Sequence, residues 1–418
     1  MEKMSQRQWN RLHAVEQIEN GRLTVGEAAQ ALGVSRRQVQ RLRKAVRARG
    51  KGAVKHGNAG RASPRKTKAK VVAKVVSLRR KTYAGFNDAH FTEMLAEMQK
   101  VTLGRATVRR ILRAAGIEAV RKRRPPKHRR RRDRKPQPGL MILWDGSSHD
   151  WLEGRGPSLC LMAAIDDATS EVQAGAHFVE EECAAGYLRV LLSIVREKGI
   201  PVSAYGDRHS SLRRNDDHFS VEEELRGEQD PTQVGRALEE LDIRRIDALS
   251  AQAKGRVERL WGTFQDRLVS ELRLAKAKTA AQANEVLLRH VPRHNRNFAM
   301  APTDTTPAWR RLLRGTDVER ICSFRYDVTV DGANVVRLGK DIVIDVPPGP
   351  RGRSYAHAKV EACQLLDASW RVYYQGVVIA THGPTGTGEL RARKRRKPSA
   401  GRQALRTAVM HIAPRDVR

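Results

Sequence analysis

The stretch Leu140-Met-Ile-Leu-Trp-Asp145 is a short apolar run that ends in a carboxylate. A run of this length and composition predicts a buried β-strand, and we expect Asp145 to end that strand at the edge of a sheet. Two later segments carry an acid in a comparable setting. Val202-Ser-Ala-Tyr-Gly-Asp207 has the pattern of a second short strand, and Glu258 lies in a stretch whose apolar residues recur at helical spacing.

The chain around these segments alternates between strand and helix patterns. Short apolar or alternating runs predict three successive strands, at residues 140–144, 159–165 and 172–179. The turns between them are predicted at Gly146-Ser-Ser and Asp166-Asp-Ala-Thr. A helix at 183–198 and a fourth strand at 202–205 follow. Because this is the element order of the ribonuclease H-like fold, we expect a catalytic core of that class at residues 139–280.

Carboxylates from two strand ends and one helix can hold a pair of divalent metal ions, as in enzymes that cut and join nucleic acid. Asp145, Asp207 and Glu258 are therefore the predicted catalytic and metal-binding residues. No glycine-rich nucleotide loop is present in the sequence, so ATP hydrolysis is not predicted.

Other acids compete for these roles. Asp150 is the rival of Asp145, but it follows the predicted turn. Asp166 and Asp167 lie in a predicted strand–strand turn, where aspartate is favoured for bonding its own backbone. The competitors of Glu258 are Glu239, Glu240, Asp242 and Asp247. Glu258 itself could also be one half of a surface ion pair.

The charge of the chain is strongly segregated. The net charge is +34, and residues 1–138 alone hold 38 Lys and Arg against 9 Asp and Glu, whereas the tail 381–418 holds 10 against 2. Residues between these arms are close to neutral. Cationic arms gain affinity for phosphate backbones by releasing counterions, so double-stranded DNA is the expected partner. An anionic membrane surface is the alternative, but the sequence has no long apolar span and no signal-like amino terminus.

Residues 1–47 have the pattern of a helix-turn-helix DNA-binding domain. Thr24 can cap one helix with Glu27 three residues later, Gly33 permits a tight turn, and Ser35 can cap the next helix. The outer face of that helix offers side chains suited to phosphates and base edges: Arg36, Arg37, Gln38, Gln40 and Arg41. A helical protein-interaction module is the alternative.

The flanking segments complete a multidomain α plus α/β architecture with tandem helix-turn-helix domains. After a basic linker at 48–70, residues 71–120 predict a second helix-turn-helix-like domain with helices at 71–80, 91–98 and 107–116. We expect Thr107 or its neighbours to cap the third helix, whose basic face consists of Arg105, Arg109, Arg110 and Arg113. The remaining predicted segments are a polybasic linker at 121–138, a helical extension at 281–318, a small C-terminal β-barrel at 319–380 and a basic tail at 381–418.

Four segments resemble the DDE transposases of bacterial insertion sequences, and the ISNCY group in particular. They are Trp144-Asp-Gly-Ser-Ser-His-Asp-Trp-Leu-Glu-Gly-Arg-Gly-Pro157, Ala164-Ile-Asp-Asp-Ala-Thr169, Asp207-Arg-His209 and Gln252-Ala-Lys-Gly-Arg-Val-Glu-Arg259. The resemblance runs from the first helix-turn-helix to about residue 314. It implies an integrase-type catalytic core in which the acids matching Asp145, Asp207 and Glu258 bind two Mg²⁺ ions, with Mn²⁺ as an expected substitute.

The same resemblance implies a DNA transposase that cuts at the terminal inverted repeats of its element and joins the ends to target DNA. From the residues themselves, Lys254, Arg256 and Arg259 near Glu258 could hold phosphates, and Lys254 and Arg256 are predicted DNA-binding residues. Pairing of two ends predicts a homodimer or homotetramer on DNA. The four cysteines form no Cys-x-x-Cys pair, which fits a reducing cytoplasm. The resemblance implies a bacterial protein associated with the nucleoid. A catalytically silent DNA-binding regulator, or a nuclease that does not join, are the alternative functions.

Overall fold

The structure is a computed structural model that describes residues 4–56, 58, 66–120, 132–214, 219–248, 255–339, 341–386 and 388–390. Several predicted features lie wholly or partly outside the described residues: positions 57 and 59–65 of the basic linker, the polybasic run 121–131, positions 252–254 with Lys254, and tail residues 391–418. The chain divides into two compact units, Met1–Lys74 and Val75–Arg418. No helix in the described part of the chain is both long enough and apolar enough to span a membrane.

The described part of the first unit begins with the helices α1 (Gln6–Glu19), α2 (Val25–Leu32) and α3 (Arg36–Arg49), which a short 3-10 helix at Lys51–Val54 follows. The predicted caps are confirmed. Thr24 and Glu27 form a reciprocal capping box at the start of α2, and Ser35 accepts a hydrogen bond at the start of α3. Gly33 between them has φ +62°, a left-handed conformation that glycine adopts without steric cost.

A small apolar core and one ion-pair cluster hold these helices together. The core includes Ile18 of α1, Ala28 of α2 and Val39 of α3. Glu19 at the end of α1 binds Arg43 at 2.6 Å and Arg47 at 2.7 Å, and these arginines lower its pKa to about 2. The inner side of α3 is thereby fixed, and its opposite side is left facing solvent.

The second unit begins with three further helices, α4 (Ala69–Lys81, which crosses the unit boundary), α5 (Asp88–Gln99) and α6 (Arg105–Ala114). The prediction that Thr107 or a neighbour caps α6 is wrong: Gly104 holds the cap position, and no side chain bonds the first turn. A glycine cap is tolerated because it leaves the first amide groups to water. Gly116 closes the helix in a left-handed conformation, as expected.

The central sheet has five strands: β1 (Ile142–His149), β2 (Leu159–Asp166), β3 (His177–Val179), β4 (Ser203–Gly206) and β5 (Arg244–Asp247). Their spatial order is β3-β2-β1-β4-β5. The first three strands are antiparallel, whereas β4 and β5 run parallel to β1. The order along the chain, three strands followed by a helix and a fourth strand, is the one that the alternation of strand and helix patterns predicts.

Helices cover both faces of this sheet. They are α7 (Ala184–Glu197), α9 (Gln233–Glu240), α10 (Gly255–Leu274) and α11 (Ala280–Phe298), whereas the short α8 (Val221–Arg226) precedes α9 and leaves Val221 and Leu225 exposed. Alternate residues of a strand point to opposite faces. Accordingly, Trp144 of β1 packs in one core with α7 and α9, and Leu143 packs in the other with α10 and α11.

Two expectations about the strands are wrong. Asp145 does not end its strand, and Gly146-Ser-Ser is not a turn, because β1 continues to His149 and its last residues pair with Leu159–Met162 of β2. The third strand is limited to His177–Val179, and Val172 contributes a single bridge to Ile165. Interstrand pairing sets these bounds, and it cannot be read from the local apolar pattern.

The predicted helical extension at 281–318 is helical only in α11 and in the short α12 (Val318–Ile321). Between them Pro302 and Pro307 disfavour helix in the residues that precede them. The segment is instead extended against the core: Arg310 exchanges two backbone hydrogen bonds with Ile200, at 2.8 and 2.9 Å.

The last described region contains six strands: β6 (Phe324–Thr329), β7 (Val335–Leu338), β8 (Ile342–Asp345), β9 (Lys359–Gln364), β10 (Trp370–Tyr374) and β11 (Val377–His382). They form a four-stranded sheet in the order β11-β10-β9-β6 and a two-stranded sheet of β7 and β8. The predicted β-barrel is not found, since both sheets are open. Closure would require the edge strands β6 and β11 to pair with each other, and the pairings of the described residues do not join them.

Candidate active site

Asp145 and Asp207 lie on neighbouring parallel strands. The register pairs Ile142 with Ala204 and Leu143 with Tyr205, and two more residues along each chain lead to Asp145 and Asp207. Neighbouring strands are about 4.8 Å apart, so Asp145 and Asp207 lie next to each other on adjacent strands. Asp145 is held inside β1, and Asp207 is the first residue beyond β4. The backbone N–H of His209 donates to Asp207 Oδ1 at 2.9 Å and fixes the start of the loop.

The helix that carries Glu258 contacts Asp145 directly. The indole Nε1 of Trp261 donates to Oδ2 of Asp145 at 3.0 Å. The predicted apolar stripe of α10 is buried against the sheet, and it consists of Val257, Leu260, Trp261, Phe264 and Leu268. Glu258 lies three residues before Trp261, in the first turn of the helix, and is exposed. Residues three apart share a helix face, so Glu258 is on the side of α10 that faces Asp145.

The donor chemistry at the paired aspartates suits a divalent cation. Two carboxylates offer four hard oxygen ligands, the type that Mg²⁺ binds. Within the described ranges, no group of three or more His, Cys, Asp or Glu is placed to hold a metal ion. Glu258 therefore does not join Asp145 and Asp207 in such a group here. The two aspartates suit such an ion, and Glu258 lies about one helix turn before Trp261, which contacts Asp145.

Glu182, just before α7, is a carboxylate of this site that the sequence pattern did not predict. Its Oε1 accepts a hydrogen bond from Tyr187 Oη at 2.5 Å and lies 3.7 Å from Nδ1 of His209. A Cβ on Gly146, the residue after Asp145, would lie 2.6 Å from Glu182 Oε2. Because Gly146 has no Cβ, the Glu182 side chain can occupy the space beside it. An acid that reaches the strand from a distant loop leaves no local signal in the sequence.

Burial and nearby negative charge both act on Tyr187. Burial raises the pKa of its hydroxyl above the usual range, and the charges of Glu182, Asp145 and Asp207 raise it further. The same two influences, burial and the charges of Glu182 and Asp145, raise the pKa of Cys160 to about 11. Three acids from separate elements thus concentrate negative charge at this edge of the sheet.

The rival aspartates have structural partners. Asp150 Oδ1 accepts the backbone N–H of Gly154 at 3.0 Å in the turn after β1. Asp166 accepts four hydrogen bonds, from the backbone N–H groups of Gly139, Ala168 and Thr169 and from the Thr169 hydroxyl. Asp167 is fully buried and binds Arg132 and Arg256.

The predicted DNA-contact residues fall into two groups. The exposed ones are Arg36, Arg37, Gln38, Gln40 and Arg41 of α3 and Arg105, Arg109 and Arg110 of α6. Two others are engaged within the protein. Arg113 binds Asp88 at 2.5 Å and the carbonyl of Ile117 at 2.7 Å. Arg256 binds Asp167 and the carbonyl of Arg132.

Comparison with known proteins adds a family to this geometry. Residues 11–73 match a family described as winged helix-turn helix. The chain is 37% identical to the transposase y4bF of Sinorhizobium fredii, over 75% of this chain and 67% of the relative. It is 32% identical to the transposase for insertion sequence IS1202 of Streptococcus pneumoniae, over 73% of each.

Two solved structures are similar at lower identity. The magnesium-bound catalytic core domain of HTLV-2 integrase in its trimeric form is 15% identical and has a TM-score of 0.25, covering 36% of this chain and 84% of that one. A chain of the simian T-cell lymphotropic virus intasome with the PP2A regulatory subunit B56 gamma is 14% identical, with a TM-score of 0.31 and coverages of 74% and 100%. On the identity to the two transposases and the share of each that is covered, the chain belongs to the family of transposases.

Proposed function

We propose that this transposase has a ribonuclease H-like core of the DDE type, which cleaves the ends of an insertion sequence and joins the 3′-OH to target DNA. The observation that carries the proposal is the placement of Asp145 beside Asp207 on parallel strands, with Trp261 of the Glu258 helix bonded to Asp145. The proposal is supported by the neighbouring positions of Asp145 and Asp207 and by the contact that the helix of Glu258 makes with Asp145.

Asp145, Asp207 and Glu258 are the proposed ligands of two Mg²⁺ ions, and Mn²⁺ is the proposed substitute. When bound, the ions would activate the attacking water or 3′-OH and stabilise the leaving 3′ oxygen. The protein's own residues hold the ligands in place: Trp261 orients Asp145, and the His209 N–H orients Asp207. No side chain is required as a covalent nucleophile.

Recognition of the terminal inverted repeats is assigned to the exposed face of α3. Its arginines and glutamines combine phosphate contacts with donors and acceptors for base edges. The basic face of α6, with Arg109 and Arg110, is proposed to bind flanking backbone. Pairing of two element ends requires at least two copies, and we propose a homodimer or homotetramer on DNA.

Product analysis tests this function. Purified protein is incubated with labelled linear DNA carrying the ends of its element and with a supercoiled target, with and without Mg²⁺. The proposal expects joined products only with Mg²⁺. Cleaved ends without joining would indicate a nuclease of the same fold. Tight end binding with neither product, even in Mn²⁺, would indicate a DNA-binding regulator. Either result would overturn the proposal.

A further inference from the structure

Asp167, at the end of β2, is a fully buried carboxylate with three separate cationic or N–H partners. Arg132 donates to it from both terminal nitrogens, at 2.7 and 3.1 Å. The backbone N–H of Lys135 donates to it at 2.8 Å, and Arg256 supplies a further guanidinium. A buried carboxylate is tolerated only when its charge and lone pairs are compensated, so this set of contacts is mutually dependent.

These partners belong to elements that meet at the candidate active site. Arg256 is in the first turn of α10, two residues before Glu258. Its second nitrogen donates to the carbonyl of Arg132 at 2.6 Å. The guanidinium of Arg132 lies 5.8 Å from the ring centroid of Tyr205, which is two residues before Asp207. One anchor thus connects the start of α10, the strand that leads to Asp207, and the segment that follows the polybasic run.

We propose that Asp167 is a positioning residue for the reaction, which holds the first turn of α10 through Arg256 and so fixes the direction of Glu258. The inference rests on the proposed function of Glu258. Residues two apart on a helix point about 200° away from each other. With the Arg256 side chain anchored toward Asp167, the Glu258 side chain is directed to the opposite side of the helix.

This role differs from the phosphate binding expected of Arg256 from the sequence, and the two roles make different predictions. If Arg256 binds a phosphate, Arg256→Gln should weaken DNA binding and reduce its salt dependence by about one ion. If Arg256 is an anchor, the same substitution should leave DNA affinity unchanged and lower the rate of joining at saturating DNA. Asp167→Asn should then have the same effect as Arg256→Gln, although Asp167 is too buried to reach DNA.

The experiment compares Asp167→Asn, Arg256→Gln and the double variant with the wild type. Arg289→Gln is the matched control, since Arg289 is an exposed arginine of α11 and lies outside the first turn of α10. Amide hydrogen exchange at residues 255–260 measures how firmly the Asp167–Arg256 contact holds the first turn of α10, and this measurement does not require the enzyme to be active. Joining rate, DNA dissociation constant and salt dependence are measured on the same proteins, and thermal unfolding verifies that each variant is folded.

Both single variants should exchange faster at 255–260 and join about 10- to 100-fold more slowly, as is typical when a residue that orients a ligand is removed. The double variant should be no worse than either single one, because both remove the same anchor. Unchanged exchange in folded Asp167→Asn or Arg256→Gln, or weaker DNA binding with a normal joining rate in Arg256→Gln, would overturn the inference. A wild type that never joins DNA would overturn the proposed function instead, and the exchange result would still decide the anchor.

Discussion

The indole nitrogen of Trp261 lies 3.0 Å from Oδ2 of Asp145 and donates a hydrogen bond to it. Trp261 is on α10 and Asp145 is inside β1, so this bond joins the helix and the strand that carry two of the three proposed metal ligands. Hydrogen bonds to a carboxylate contribute about 1.5–3 kcal/mol and fix its orientation.

Trp261→Phe should therefore keep the aromatic packing but release Asp145. We expect the joining rate to fall by about tenfold or more, with little change in DNA affinity. Trp151→Phe is the matched control, since its buried indole donates to the carbonyl of Ser147 at 3.0 Å and not to an acid. Equal decreases of activity in the two variants would show that the hydrogen bond to Asp145 has no special role.

Gly146→Ala should disturb the site by steric conflict with Glu182. The new Cβ would lie 2.6 to 2.9 Å from three atoms of the Glu182 side chain, which Tyr187 holds in place. We expect a loss of about 1–3 kcal/mol in the free energy of unfolding. Glu182→Ala removes all three clashing atoms. The double variant should thus be more stable than the sum of the single effects predicts, and simple additivity in thermal or denaturant unfolding would count against the steric conflict.

We expect some exposed residues of α3 to recognise the base sequence of DNA and others to bind its phosphate backbone. Arg41→Gln is expected to weaken binding to all DNA alike and to reduce the salt slope by about one. Gln40→Ala should reduce the preference for element ends over unrelated DNA and leave the salt slope unchanged. Titrations by fluorescence anisotropy at several salt concentrations measure both. If neither variant changes either quantity, α3 is not the recognition helix.

Acid should destabilise the second unit through His294 of α11. Burial, with the charges of His290 and Arg267, lowers the pKa of His294 from 6.5 to about 3. Between these values the unfolded chain binds a proton that the folded protein excludes, so stability is present above pH 6.5 and is lost as the pH falls. The loss is about 1.4 kcal/mol per pH unit for one proton.

His294→Phe should reduce this pH dependence by about one proton, because phenylalanine does not titrate. The new ring should be accommodated, since Phe264 and Phe298 already make aromatic contacts with the ring of His294. The measurement is the denaturation midpoint at pH 7, 6 and 5. Glu271 does not titrate in this pH range. Burial alone would raise the pKa of Glu271, but His290 and His90 hold that pKa below its usual value. His149→Gln, an exposed histidine, is the control. An unaltered pH dependence in His294→Phe would contradict the assignment.

Local patterns were sufficient for much of the fold. The capping residues Thr24 and Ser35 act within one turn, so the sequence could place α2 and α3 correctly. The order of strands and helices from Ile142 to Gly206 followed from changes in apolar period. Asp145 and Asp207 could be selected because each follows a buried run, and the parallel register then brings them together.

Features that depend on distant partners could not be predicted in this way. The length of β1 is set by its pairing with β2, and the open sheets at the C-terminal end depend on which edges meet. Glu182 lies beside Gly146 although it belongs to another element, and Asp167 binds Arg256, which is 89 positions later in the sequence. Each is a contact through space, for which composition and period carry no signal.

The most direct test of the central claim is Mg²⁺-dependent joining by Asp145→Asn, Asp207→Asn and Glu258→Gln, measured beside Asp150→Asn. The account predicts that each of the first three abolishes joining while end binding remains largely intact. Asp150→Asn should retain activity, because the Asp150 carboxylate accepts a backbone hydrogen bond from Gly154 in a turn, and an amide oxygen can accept the same bond. Near-normal joining by any of the first three variants would contradict the assignment of the catalytic acids.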